Sequence, residues 1–445
     1  MERENKQTRR EFLTKSALGV AGMALTANWL SSCSRGGTKA DLNLPPMLNQ
    51  APEGNTLRAG LVGCGGRGTG AAINFVNAGP NLEIVALADV FEDRVKESQG
   101  RIQKEVGQEV SDDRCFVGFE AYKKVIDSDD IDIVILATPP YFRPLHFAAC
   151  VDAHKHVFME KPLAVDPVGA RSIISSSKRA DDLGLTVITG TQRHHQESYI
   201  EAYKRIMNGE IGDIVAANCY WNMGQLWYRT RKPEWSDMEF MIRDWVNWNW
   251  LSGDHITEQH VHNIDVINWF MGGKFPERAV GFGSRHRRVT GDQYDNFSVD
   301  FVYPGDIHVH SMCRQIDGCA NNVSEFVRGT KGYSDCSSYI AKPNGEKVWT
   351  YEKSEDVNSP YLQEHIHLVT SIRRNEPVNV AEFTAKSTLC AIMGRISAYT
   401  GQEVTWDEMM KSGLQLGPEG GPESVTSLGS SDLINSQVPV PGSEE

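Results

Sequence analysis

The motif Gly63-Cys64-Gly65-Gly66-Arg67-Gly68 directly follows the apolar run Leu57 to Val62. Glycines at this spacing suit a phosphate site. Gly63 permits a tight turn, Gly65 lets the backbone approach a pyrophosphate, and Gly68 lets the next helix pack on the strand. Together with Gly66 and Arg67 they predict a dinucleotide loop, with the anion at the N–H groups that open the helix. A second apolar run, Glu83 to Ala88, ends in Asp89, 21 residues beyond Gly68. A carboxylate there accepts hydrogen bonds from both ribose hydroxyls and repels a 2′-phosphate. The spacing therefore predicts NAD, with NADP disfavoured; the nearby cation Arg94 is the one feature on the NADP side.

Further polar residues fall where other runs end. Thr138-Pro139-Pro140 follows Ile131 to Ala137, and Glu160-Lys161-Pro162 follows His156 to Met159. Ligands of parallel sheets bind at such carboxyl ends. Gln192-Arg193-His194 follows a run at Thr186 to Thr189 and predicts substrate contacts from Arg193 and His194. His255, His260 and His262 invite a metal reading, yet His260 and His262 diverge on a helix, and zinc needs three or four convergent ligands. No metal is expected. Glu258 and His262, four apart, are expected to share one helix face. Trp221, Trp227, Trp245, Trp248 and Trp250 read as a wall for stacking sugar rings, Trp245 foremost, or as core packing. Arg285-His286-Arg287-Arg288 reads as a solvated loop or a site for a carboxylated or sulfated ligand.

The elements that position these residues alternate strand and helix. Helices are predicted at Thr69 to Val76, Tyr141 to Ala153 and Ala170 to Ala180. The continuous apolar run at 131–137 is the pattern of a strand covered on both faces. After Asp213, strands are predicted at Ile214–Trp221, Ala279–Ser284, Phe297–Tyr303 and His308–Gln315. Apolar positions 261, 264, 267 and 270 predict a helix between the first two of these. Residues 413–445 form a C-terminal tail whose last 27 residues show little periodicity, expected to wrap the surface or a partner.

The succession GCGGRG, ALADV, IDIVILATPPYFRPLH, HVFMEKP and HVHNID, spread over residues 57–412, resembles the Gfo/Idh/MocA oxidoreductases, named for glucose–fructose oxidoreductase and inositol dehydrogenase. The resemblance implies an α/β Rossmann domain at 57–190. An α+β domain follows at 191–412, its mostly antiparallel open sheet covering the nicotinamide. It implies cofactor contacts from Thr138, Pro139, His146, Glu160 and Lys161. Oxidation or reduction of a secondary alcohol on a carbohydrate would use Lys161, Glu258 and His262 as catalytic groups. Glu258 stands where the family has Asp, and His260 where Gly is usual. A homo-oligomer is implied. Two rival functions remain open: a redox-neutral, NAD-dependent glycoside hydrolase of the α-N-acetylgalactosaminidase type, and a non-catalytic sugar-binding lipoprotein.

The chain has 445 residues, 45 basic and 58 acidic, for a net charge of −13. That length allows two or three domains. An acidic surface excludes general nucleic-acid binding, which needs a basic face to replace counterions. The nine cysteines include no CxxC pair, which excludes zinc-ribbon and thioredoxin-like readings. Cys313 and Cys319 are spaced to bridge a loop or to remain thiols. At the N-terminus, Thr8-Arg9-Arg10-Glu11-Phe12-Leu13 precedes an apolar stretch that ends in Leu30-Ser31-Ser32-Cys33. Residues 1–33 read as a twin-arginine signal with a lipobox, and 34–56 as a linker. The expectation is export to the periplasm and membrane anchoring through lipidated Cys33. Changing Arg9 and Arg10 to Lys should leave unprocessed precursor in the cytoplasm, and Cys33→Ala should abolish lipid labelling. Normal processing and labelling of both variants would contradict this address.

Overall fold

Six short strands pair in parallel: β1 (Leu57–Val62), β2 (Leu82–Asp89), β3 (Cys115–Val117), β4 (Ile133–Leu136), β5 (His156–Met159) and β6 (Val187–Thr189). Their order in the sheet is β3-β2-β1-β4-β5-β6. The chain therefore reverses direction across the sheet between β1 and β4. Such a reversal leaves a crevice at the strands' carboxyl ends. These coordinates are a computed structural model that describes residues 46–353 and 357–442. The predicted signal and lipobox at 1–33, and linker residues 34–45, lie outside the described residues.

All four residues of β4 are buried, because helices cover both faces of the sheet. The helix after the glycine loop, α1 (Gly66–Asn77), starts three residues before the predicted Thr69. It is followed in the fold by α2 (Glu92–Val106). A late helix, Pro360–Arg374, completes this body. Its Ile366, Leu368 and Val369 share a cluster with Ala59, Leu61, Ile133 and Ile135. Beyond it, the Val187 N–H donates to the Val378 carbonyl at 2.8 Å, and the Val380 N–H to the Val187 carbonyl at 3.1 Å. Residues 360–380 therefore belong to the nucleotide-binding body rather than to the second domain expected at 191–412. An apolar helix face in sequence does not declare which sheet it covers.

The second sheet has nine strands: β7 (Ile214–Met223), β8 (Arg278–Ser284), β9 (Asn296–Tyr303), β10 (Ile307–Gln315), β11 (Asn322–Gly329), β12 (Tyr333–Ser334), β13 (Tyr339–Ala341), β14 (Lys347–Thr350) and β15 (Val404–Thr405). Their order is β14-β13-β12-β11-β7-β10-β9-β8-β15. The β7–β10 pair is parallel, and β10–β9, β9–β8 and β11–β7 are antiparallel. One face buries Val299, Phe301 and Val309 in a cluster with Ile264 of helix Val261–Phe270 and Leu389 of helix Ala381–Thr400. The opposite face exposes Val280 and Phe282.

Residues 413–442 hold two short 3₁₀ turns, Pro422–Ser424 and Asp432–Asn435. They lie against their own chain, where Leu416, Val425 and Leu433 pack with Tyr141, Phe142 and Trp248. Cys313 is buried and Cys319 exposed; both are free thiols, as are the other described cysteines. Among the described residues no helix is long and apolar enough to cross a membrane.

Phe158 in β5 is fully buried, and its ring lies 4.3 Å from that of His365 on the late helix. Phe158→Ala should destabilise the fold by about 3–5 kcal/mol through the cavity it leaves. A thermal melt checks this, and an unchanged melting temperature would contradict the packing described.

Candidate functional site

The glycine loop is built to leave room. Gly63 has φ +98°, and a Cβ there would sit 2.6 Å from backbone atoms of Ala137 and Thr138. A Cβ on Gly68 would lie 1.9 Å from the Gly63 carbonyl oxygen. By contrast, a Cβ on Gly65 or Gly66 would meet nothing within 4 Å. Two glycines thus close the turn, while two face open space. Gly65 is the N-cap of α1, no side chain caps the helix, and no acid stands in its first turn. Its leading N–H groups are available to an anion.

That space continues as a cavity of about 470 Å³. Its walls include Gly63, Gly65, Gly66, Arg67 and Gly68, with Asp89 and Arg94 at one side. Thr138, Pro139 and His146 line it as well. Asp89 accepts from the Cys64 N–H at 2.7 Å and from the Phe91 N–H at 3.0 Å. Burial raises its carboxyl pKa against the pull of those two N–H groups. Each oxygen keeps a lone pair for a hydroxyl donor. The loop, the uncapped helix start and the carboxylate fit a dinucleotide of the NAD type. His146 meets Thr138 Oγ1 through Nδ1 at 3.2 Å, and burial, then Arg143, pushes its pKa down to about 3. It is a neutral wall residue. Arg143 pins the two strand ends together, donating to the carbonyls of Thr138 at 2.7 Å and of Pro162.

Arg67 links the loop to the end of β5. Its Nε meets Glu160 Oε1 at 2.5 Å and its Nη2 meets Glu364 Oε2 at 3.3 Å. Tyr361 lies under the guanidinium, 4.7 Å from ring centroid to Cζ. Glu160, expected to contact cofactor, is buried and ion-paired with Arg67, which lines the cavity. The next residue, Lys161, precedes a cis peptide bond to Pro162. Its Nζ donates to Glu258 Oε1 at 3.0 Å and to the Glu258 backbone carbonyl. Both side chains are 12% exposed, so this ion pair is largely shielded from water yet accessible at its rim.

His262 stacks on Trp221 with centroids 5.6 Å apart. Burial lowers its pKa well below the usual imidazole value, with the charges of Lys161 and Arg193 acting in the same direction. Arg193 is ion-paired with Glu325, donates to Asn263 Oδ1 at 2.6 Å, and lies over Trp221 at 5.5 Å. The structure thus gathers Lys161, Glu258, His262 and Arg193. Glu258 and His262 do not share one helix as expected. Glu258 ends the short helix His255–Glu258, and His262 is the second residue of Val261–Phe270.

Two predicted substrate contacts are placed elsewhere. His194 pairs with Asp265 at 2.5 Å and stacks on Trp269, with centroids 4.2 Å apart. Trp245 lines the cavity that holds the glycine loop and Asp89. Arg288, read as part of a solvated loop, is buried and donates to Gln315 Oε1 at 2.6 Å and to the Tyr294 carbonyl at 2.6 Å. His255 pairs with Asp254 at 3.0 Å and His260 with Ser311 at 2.8 Å. Among the described residues no three potential ligands converge on a metal position. Sequence reasoning missed Glu364, Arg143, Arg229 and Arg243. For Glu364, 297 residues from Arg67, no local pattern exists. Arg243 and Trp245 did stand in one noticeable Trp-rich segment.

Two family models match the chain. Residues 57–190 match "Oxidoreductase family, NAD-binding Rossmann fold", and residues 199–334 match "GFO/IDH/MocA C-terminal domain". An inositol 2-dehydrogenase of Salmonella paratyphi B is 23% identical over 235 residues, which are 53% of this chain and 60% of that protein. The chain thus spans about three fifths of the curated dehydrogenase it matches. A glycosyl hydrolase family 109 protein of Shewanella pealeana is 31% identical over 175 residues, covering 39% of this chain and 38% of that protein. A scyllo-inositol dehydrogenase of Lactobacillus casei, solved with bound NAD(H) and scyllo-inositol, has the same fold. Its TM-score is 0.60 at 20% identity, covering 79% of this chain and 99% of that one.

Gly68→Ala should weaken NAD binding about 10- to 100-fold, because overpacking a close contact costs about 1–3 kcal/mol. Gly70→Ala, where a Cβ meets nothing within 4 Å, should bind NAD as the parent does. Equal affinity of the two variants, measured by calorimetry, would contradict the close-approach role of Gly68.

Proposed function

The chain belongs to the GFO/IDH/MocA oxidoreductase family, and from that premise we propose that it is an NAD-dependent dehydrogenase acting on a secondary alcohol of a sugar, glycoside or polyol. One observation carries this reading. Lys161 is held by Glu258 at the end of β5, beside neutral His262, while the preceding residue Glu160 is tied to the glycine loop through Arg67. When bound, NAD supplies a hydride acceptor.

The residues around it have separable tasks. Lys161 spends two of its three N–H groups on Glu258, which leaves one to hydrogen-bond the reacting oxygen. As the alcohol becomes a carbonyl, that donor stabilises negative charge on the oxygen. The proton leaving the hydroxyl goes to the free imidazole nitrogen of His262. Burial and the neighbouring cations favour the neutral ring, so the base is ready to accept. Glu258 fixes the lysine's direction and balances its charge. Trp221 limits the imidazole's rotation through stacking.

The second reading is a redox-neutral glycosidase, which the 31% identity to the family 109 protein supports. It requires the same oxidation as its first step and differs in releasing an aglycone without net NADH. Assembly as a homo-oligomer through the exposed Val280–Phe282 face completes the proposal, as do export and a lipid anchor at Cys33. Arg9-Arg10 and Leu30-Ser31-Ser32-Cys33 support the latter two.

Lys161→Met and His262→Asn should each lower the rate of NAD reduction in the bound complex by about 10²–10⁴-fold, the usual contribution of an acid–base group. The double variant should lose less than the product of the single losses. Wild-type rates in both single variants would contradict the placement. The lowered imidazole pKa has a sign: the base stays unprotonated below the usual value of about 6.5, so the acid limb of kcat/KM should fall below that pH. A limb at or above it would contradict His262 as the base.

A further inference from the structure

The cavity beside the glycine loop has a second wall that the nucleotide-binding body does not supply. Trp227, Arg229, Ile242, Arg243 and Trp245 line it, all from the segment between β7 and helix His255–Glu258. They stand in the same cavity as Asp89, Phe91 and Arg94, on the adenosine side of the loop.

That segment is latched to the nucleotide-binding body. Arg243 pairs with Asp93 on α2 through two contacts, at 3.0 and 3.2 Å, and with Glu239 at 2.8 Å. Its guanidinium lies 3.8 Å from the centroid of the Phe91 ring. Asp244 closes the segment on itself, accepting from the Arg229 N–H at 2.7 Å and from Asn247 at 2.9 Å. The C-terminal tail backs it: the Met238 N–H donates to the Gly429 carbonyl at 3.0 Å, and the Ser431 N–H to Asp237 at 3.2 Å.

The inner surface suits a nucleotide. Trp227 is 46% exposed, so part of its ring is open to stack on a base. The Arg229 guanidinium lies over that ring at 5.5 Å. Its charge is crowded by Arg94 and Arg243, with Asp244 and Asp93 opposing them from beyond ion-pair distance, so an anionic dinucleotide in this cavity would be drawn to it.

From this geometry, and resting on the NAD-dependent reading above, we infer that residues 224–252 form a clasp over the adenosine half of the cofactor. The clasp is fastened by Arg243 to Asp93 and Phe91 and slows release of the dinucleotide. Arg229 and Trp227 are then cofactor-binding residues contributed by the second domain. A bound dinucleotide contacts both bodies, and its release requires the latch to open.

The test is the rate at which the full-length protein, loaded with isotopically labelled NAD, releases label into excess unlabelled NAD. The label should remain with the parent protein through gel filtration. Asp93→Lys changes a side chain 63% exposed and sets a like charge against Arg243, so the fold should survive. It should speed release about tenfold, the scale of a lost and reversed ion pair. Trp227→Ala removes a stacking face worth about 1–3 kcal/mol for a nucleic-acid base and should accelerate release at least as much. Release from the parent as fast as from both variants would overturn the clasp while leaving NAD binding intact. Failure of the parent protein to bind NAD at all would overturn the dehydrogenase reading, and the clasp with it.

Discussion

The Arg67–Glu160 ion pair joins the two halves of the chemistry. Arg67 stands in the first turn of α1, whose uncapped N-terminus faces the cavity, and Glu160 immediately precedes Lys161. Glu160 is 4% exposed, and Glu364, the second carboxylate on Arg67, is fully buried. Removing a guanidinium from such a position leaves buried carboxylates uncompensated, at a cost of about 3–5 kcal/mol. Burial drives the Glu364 carboxyl pKa well above the usual range, with Arg67 pulling it down and Glu160 pushing it up. One guanidinium thus ties the phosphate cradle, the end of β5 and the late helix 360–374 into one register.

Around Lys161 the charges are arranged to oppose one another at short range. Glu258 balances the ammonium directly, and Arg143, behind the strand ends, has its pKa pushed down to about 10 by burial while Glu160 and Glu258 support its charge. Burial, and then the positive neighbours Lys161 and Arg193, lower the His262 imidazole pKa well below its usual value. A neutral acceptor beside a fixed donor suits removal of a hydroxyl proton while charge builds on oxygen. The clasp formed by residues 224–252 extends this division of labour, the second domain closing a site that the first domain opens.

Much of the nucleotide site was legible because it is local. The run Leu57 to Val62, the glycines after it and Asp89 at the next strand end are each contiguous in sequence, and β1 begins and ends where the apolar run does. Lys161 was legible for the same reason, as a charged residue closing an apolar strand. The pairing of Glu258 with His262 on one helix was not. The helical turn stops after Glu258, with Gln259 at ψ −51° but φ −107°, and a new helix begins at Val261. Periodicity cannot show such a break when the polar residues on either side keep helical spacing. His194 was read from its place after the run Thr186 to Thr189 and Trp245 from its residue type, yet Asp265 and Trp269 hold His194, and the segment folding over Asp89 carries Trp245. Contacts such as Arg67–Glu364 depend on chain returns that no local pattern encodes.

On the function proposed above, Lys161, Glu258 and His262 serve oxidation of a carbon-bound hydroxyl by NAD held in the glycine groove. The most direct test is single-turnover reduction of protein-bound NAD by an inositol or glycoside, followed by nicotinamide absorbance, with hydrogen or deuterium on the reacting carbon. NADH should form in the wild-type protein, slowed by deuterium at that carbon alone. Bound NAD that is never reduced across a panel of polyols, sugars and glycosides, in a protein that binds them, would contradict it.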